Sequence, residues 1–178
     1  YLQQLVMESL GKSVGPDNRQ AAQATVPVIW GGTGSSSQHS FFQAMHQGSD
    51  IVPIDLIGAI KPAHDYPESH QNLLANLFAQ AEALANGSVG QELQKHYPGN
   101  CPSTLFLLDE LTPYSFGMLL ALYEHSVYVQ SVVWGINAFD QWGVELGKKL
   151  AAGFMPGLAD KNIPVGDAIT QALLKSLP

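Results

Sequence analysis

Leu2, Leu5 and Val6 alternate with the polar Gln3, Gln4 and Glu8 at the spacing of one helix face, and Gly11 then ends the helix. Glu8 sits on its last turn. The polar stretch Lys12 to Thr25, with Gly15, Pro16, Asp17 and Asn18, predicts a loop. The short, β-branched run Val26 to Trp30 predicts a buried strand, and Ile51 to Ile57 a second one. Between them lie a Gly/Ser turn, Gly31 to Ser37, and a helical pattern with Phe41, Phe42 and Met45 on one side. A strand, turn, helix, strand unit predicts a right-handed parallel crossover.

Pro62 to Ser69 is irregular, after which Leu73, Leu74, Leu77, Phe78, Ala81 and Leu84 predict a long helix ending at Asn86-Gly87. Gly99, Asn100 and Pro102 turn the chain into a third strand, Thr104 to Leu108, and Thr112-Pro113 opens a helix with apolar positions from Phe116 to Tyr123. Val127 to Phe139 fits helix or strand equally. Gln141 to Phe154 reads as helix, Gly157 to Gly166 as a surface connection, and Asp167 as the cap of a last helix, Ala168 to Leu177. This alternation predicts an α/β fold, an open doubly wound mostly parallel sheet flanked by helices, with ligands at the carboxyl ends of the strands.

Composition sharpens that picture. At 178 residues the chain has the length of one domain. Only 13% of it is charged, against roughly a quarter in soluble proteins, which predicts an exterior that packs against another subunit or further parts of its own polypeptide. A net charge of −7 and no basic cluster beyond Lys148-Lys149 disfavour nucleic acid. No run approaches a membrane span, and the first residues form no basic leader. The single cysteine, Cys101, forms no internal disulfide, so a reducing, cytoplasmic location is expected.

Three features invite chemistry. The Gly/Ser loop would offer backbone N–H groups to an anion at a helix start, although it lacks the Gly-Lys-Ser/Thr ending of a P-loop, and a plain glycine turn explains it as well. His39, placed just inside the following helix, would be held neutral by the positive end of the dipole and able to exchange protons. Glu8 is one of few acids on an apolar helix; drawn into a partly buried cleft it would serve as a general base, and otherwise it is a solvated glutamate. His39 and His46 would share a helix face but have no third ligand at metal spacing, so no metal site is expected. Trp30, Trp134 and Trp142 read as core or interface, and Lys148 as an oxygen or phosphate contact or an ordinary surface lysine.

The ten residues Phe139-Asp140-Gln141-Trp142-Gly143-Val144-Glu145-Leu146-Gly147-Lys148 decide between these readings, because they resemble the C-terminal signature of the phosphoglucose isomerase family. Met7-Glu8-Ser9-x-Gly11-Lys12, Gln38-His39-x-Phe41-x-Gln43-x-x-His46-Gln47-Gly48 and Leu122-Tyr123-Glu124-His125 agree in order, and Gln4 and Asp167-Ala168-x-Thr170 fall in the same register. The resemblance spans nearly the whole chain and is thinnest at Gly58 to Ser69 and Gly87 to Tyr97. It implies interconversion of glucose 6-phosphate and fructose 6-phosphate through a cis-enediolate, with Glu8 as catalytic base, His39 as ring opener and Lys148 assisting at the ring oxygen. Gln4 and Gln141 would help bind the phosphosugar, and no metal or organic cofactor is implied. It also implies a cytoplasmic glycolytic homodimer in which His39 reaches the neighbouring subunit's site.

The family usually reads Gly-Glu-Pro-Gly-Thr-Asn-Gly where this chain has Gly31-Gly32-Thr33-Gly34-Ser35-Ser36-Ser37, and Cys101 replaces a common arginine. The first departure bears on loop conformation and leaves Glu8 untouched; the second bears on local packing. In the family the main phosphate-binding Ser/Thr loop and an arginine that steadies the enediolate lie before the position of Tyr1. Residues 1–178 therefore resemble the C-terminal portion, a second sugar-isomerase (SIS-type) domain with its terminal helices, expected to be inactive alone. Two other classes compete: a non-catalytic SIS-type module that binds a phosphosugar to regulate a partner, and a structural interaction domain. Neither requires Glu8, His39 and Lys148 together.

Overall fold

The computed structural model describes residues 1–177, which form two compact units: residues 29–125, and residues 1–28 together with those from 126 onward. The central unit is built on two parallel strands, β1 (Ile54–Lys61) and β2 (Ser103–Glu110), paired in register from Ile54 with Ser103 to Lys61 with Glu110. Parallel strands need a crossover, and a helix of 20 residues, Pro67–Asn86, supplies most of it. In chain order the helices are α1 (Leu2–Leu10), α2 (Gly34–Ser37), α3 (Phe42–Gln47), α4 (Pro67–Asn86), α5 (Pro113–Trp134), α6 (Glu145–Ala159) and α7 (Ala168–Ser176).

Alternation along β1 separates its two faces. Ile54 and Leu56 pack on the cluster of Phe42, Met45 and Leu84, and a Cβ at Gly58 would meet Leu77 of α4 at 2.4 Å. On the opposite face Asp55 accepts a 2.8 Å hydrogen bond from the Tyr123 hydroxyl of α5, and Phe106 of β2 lies beside the same ring. Burial, then the neighbouring Asp55 carboxylate, pushes the Tyr123 phenol well above its ordinary range and keeps it a donor. Helices thus lie on both faces of the parallel pair, in agreement with the expected α/β class.

The register of β2 is set by the way the chain leaves α4. The last carbonyls of a helix have no partners inside it. Here Gly87 N–H closes on Ala83, while the returning Asn100 and Cys101 N–H groups bond to Ala85 and Leu84 at 2.8 and 3.0 Å. That close approach requires positive φ at Gly87, Gly99 and Asn100 (64°, 66° and 53°), and a side chain at Gly87 would run into the Tyr97 carbonyl at 2.3 Å. The helix starts are equally specific. Thr112 and Ser115 cap α5 reciprocally, each side chain accepting from the other's backbone N–H. The Asp167 carboxylate accepts from Thr170 N–H at 2.8 Å to start α7, as expected.

Several sequence expectations are corrected. Val26 to Trp30 forms no strand: Val28 and Trp30 are 72% and 44% exposed, and an apolar run becomes a strand only where another strand pairs with it. The strand-first crossover therefore falls away, and the sheet described is β1 with β2. The helix expected after the Gly/Ser loop is broken into α2 and α3, separated by a turn over residues 38–41. The second β-run begins at Ile54 rather than Ile51. Val127 onward continues α5 to Trp134, and α6 starts only after a 3-10 turn, Trp142–Val144, then runs on to Ala159.

Apolar surface is left uncovered. The accessible area is 12970 Å², whereas two independent globular units sharing this mass would expose about 10,000 Å². Helix α5 carries apolar side chains on every side, as buried helices do, yet buries only Val127 and Ser131 and exposes Met118, Leu122, Val129, Val132 and Val133.

Two predictions follow from these contacts. In the full-length polypeptide Leu84→Ala, at a fully buried position, lowers unfolding free energy by about 2–5 kcal/mol, which denaturant unfolding reads. The hydrogen bonds from Thr170 hold the Asp167 carboxyl below its ordinary value of 3.8. A depressed carboxyl stabilises above the unfolded-state value and loses that effect as pH falls through the folded one. Asp167→Ala therefore lowers amide-exchange protection in α7 at pH 6, and the difference from the unmodified protein shrinks as pH falls below 3.8 through the folded-state value.

Candidate active site

Leu5, Val6 and Leu10 give α1 its inward face, with Val6 and Leu10 buried, and this leaves Gln4 and Glu8 one turn apart on a common face. Gln4 Nε2 lies 3.5 Å from Glu8 Oε2. Both side chains line a cavity of about 810 Å³ whose other wall is the segment Asn137 to Val144, including Asp140, Gln141 and Trp142. Gln141 closes the 3-10 turn that precedes α6, its carbonyl accepting from Val144 N–H at 3.2 Å. The structure thus brings together the sequence-predicted Gln4, Glu8 and Gln141: one carboxylate flanked by two carboxamides, in a cleft large enough for a small-molecule substrate.

The turn after α1 fixes this wall. Lys12 N–H bonds back to the Leu10 carbonyl at 2.8 Å across Gly11, which has φ −74° and ψ 51°, an inverse γ-turn. No side chain fits at Gly11, because a Cβ there would stand 2.3 Å from the Met7 carbonyl oxygen. The tight turn folds Lys12 beneath the helix end, where its ammonium donates to the carbonyls of Glu8 (2.6 Å) and Ser9 (2.9 Å) and stands 3.7 Å from Asp140 Oδ1. A cation on otherwise unpaired C-terminal carbonyls also complements the helix dipole. In the sequence Lys12 and Asp140 stand only as motif members; a lysine directly after the helix-stopping Gly11 was the available signal.

Lys148 is placed elsewhere. It is exposed on α6, pairs with Glu145 Oε1 at 3.0 Å, and is not among the residues lining the cavity. His39 is exposed in the turn between α2 and α3, so it is neither inside a helix nor on one helix with His46, and the dipole argument for it lapses. His46 instead bonds through Nε2 to Gln80 Oε1 at 2.9 Å. The Gly/Ser loop gives only one turn of helix, in which Ser36 and Ser37 N–H both return to the Thr33 carbonyl at 3.1 and 3.0 Å and so are not anion donors. Among the described residues no group of three or more His, Cys, Asp or Glu is placed to hold a metal, and no helix is long and apolar enough to cross a membrane.

Fold and cavity together define an α/β protein with helices on both faces of a parallel sheet and a polar small-molecule cleft. Comparison with known proteins narrows this: the family described as phosphoglucose isomerase matches residues 1–174. Glucose-6-phosphate isomerases of Stenotrophomonas maltophilia (strain K279a) and Xylella fastidiosa (strain 9a5c) are each 58% identical over 177 residues, 99% of this chain and 35% of theirs. The crystal structure of a glucose-6-phosphate isomerase from Chlamydia trachomatis D/UW-3/Cx superposes with a TM-score of 0.82 at 40% identity, covering 98% of this chain and 34% of that one. The chain belongs to the phosphoglucose isomerase family, and spans about a third of the length of these relatives.

Proposed function

We propose that the polypeptide containing this chain is a glucose-6-phosphate isomerase, interconverting glucose 6-phosphate and fructose 6-phosphate in glycolysis and gluconeogenesis, and that residues 1–178 are its C-terminal SIS-type domain and terminal helices. The observation that carries this reading is the cavity in which Glu8 stands between Gln4 and Gln141, in a chain whose relatives carry that name. The reaction moves a proton between adjacent carbons. With the sugar open, Glu8 removes the proton on C2 of the aldose, its electron pair forms the C1–C2 double bond of a cis-enediolate as the carbonyl pair moves onto O1, and the same carboxylic acid returns the proton to C1 while the O2 hydroxyl proton is transferred to O1, giving the ketose. A carboxylate suits this because one group serves as base in one direction and acid in the other. Gln4 and Gln141 can donate and accept hydrogen bonds with sugar hydroxyls without adding charge beside the developing enediolate.

Ring opening needs a separate group at the ring oxygen. His39 takes that role in the neighbouring subunit's site of a cytoplasmic homodimer, with Lys148 assisting at the ring oxygen, and neither metal nor organic cofactor is needed. The exposed apolar surface of α5 and the low charge of the chain support cover by a second subunit and by further chain. On this reading the 178-residue chain alone does not turn over.

A coupled assay of glucose 6-phosphate formation tests the proposal. Full-length protein turns over and the 178-residue chain does not. Glu8→Gln in the full-length protein abolishes turnover and keeps phosphosugar binding, because the amide preserves shape and cannot accept the proton; retained turnover refutes the assignment. Phosphosugar binding without turnover in the unmodified full-length protein would point to the regulatory module instead. Replacing His39 slows the cyclic substrate more than an open-chain one, and equal losses on both would remove its ring-opening role.

A further inference from the structure

Lys12 is only 13% exposed at its side chain, a depth at which lysine is found only when paired. An ammonium has three N–H groups. Two are committed to the Glu8 and Ser9 carbonyls, leaving the third for Asp140 Oδ1 at 3.7 Å. Asp140 Oδ1 is itself buried with no hydrogen-bond partner, so the lysine cation is what compensates its charge. The other carboxylate oxygen accepts from Asn137 Nδ2 at 3.0 Å, and Asn137 in turn holds Phe139 N–H at 3.0 Å. The chain of contacts therefore runs from the backbone of Glu8 itself, through Lys12, to Asp140, the residue preceding Gln141. Two segments more than a hundred positions apart in the sequence, one carrying the candidate base and the other a candidate substrate amide, are joined through this ion pair.

We infer that Lys12 and Asp140 are the positioning pair of this active site, setting the Glu8 carboxylate against the substrate carbon that Gln141 helps to place. The inference rests on the isomerase reading. Neither residue touches the reacting atoms. Lys12 acts by locking the last turn of α1, so that losing it lets Glu8 drift relative to Gln141, and displacement of about 1 Å in such a constellation is worth up to about 100-fold in rate.

The test uses the full-length isomerase with Lys12→Met, Lys12→Arg and Asp140→Asn, beside Glu8→Gln. Turnover is measured with glucose 6-phosphate and with the same sugar deuterated at C2. Lys12→Met and Asp140→Asn are expected to lower kcat about 10- to 100-fold, with a smaller change in KM and a larger deuterium isotope effect, because misplacing the base slows the proton transfer itself. Lys12→Arg, which keeps the charge and the donors, recovers part of the loss. A merely structural role would reduce the active fraction and leave the isotope effect and KM where they were, and that result, or unchanged kcat, overturns the inference. Should Lys12→Met fail to fold, the nearly isosteric Asp140→Asn decides by the same readout. Two controls separate the claims: if Glu8→Gln is inactive while the Lys12 and Asp140 variants behave as unmodified protein, only the positioning role falls; if Glu8→Gln remains active, the assignment of Glu8 as base falls and the positioning role with it; if the unmodified full-length protein does not turn over, the isomerase reading falls first.

Discussion

Parallel pairing of β1 with β2 is the constraint on which the central unit depends. Two strands running the same way cannot be joined by a tight turn, so the chain must travel the length of α4 and come back. The return is anchored by backbone chemistry: the carbonyls that α4 leaves unpaired at Leu84 and Ala85 are taken by Cys101 and Asn100, just before β2 starts. Because Leu84 is at the same time a fully buried member of the core, helix end, core and strand register are fixed at one place.

The candidate site obeys the same logic at the end of another helix. The unpaired carbonyls of α1 belong to Glu8 and Ser9, and the partner that satisfies them is the ammonium of Lys12, carried back by the turn at Gly11. A structural requirement, closing a helix end, thereby holds the residue that carries the proposed chemistry. The cavity is polar where Gln4, Glu8 and Gln141 meet and is walled by Trp142 on the signature segment.

The apolar surface of α5 gives the low charge content a physical meaning. A helix apolar on all sides is stable in water only when it is surrounded. The chain spans about a third of the length of its relatives, and the surface it exposes exceeds what even two separate globular units would show.

What the sequence determined by itself was local: the α1 stripe and its stop at Gly11, the end of α4 at Asn86-Gly87 though not its start at Pro67 within the stretch read as irregular, the turn at Gly99-Asn100, the caps at Thr112 and Asp167, and the motif residues Gln4, Glu8 and Gln141. Each rests on a side chain acting within a few positions of its own backbone. Tertiary structure decided the rest, because it depends on partners far along the chain. Val26 to Trp30 has strand composition but no strand beside it, the helix expected to hold His39 is interrupted by a turn, and Lys148 pairs with Glu145 at the surface. The meeting of Lys12 with Asp140 was likewise invisible in one dimension, since an ion pair is a property of distance in space, and only folding places those two charges within reach of each other.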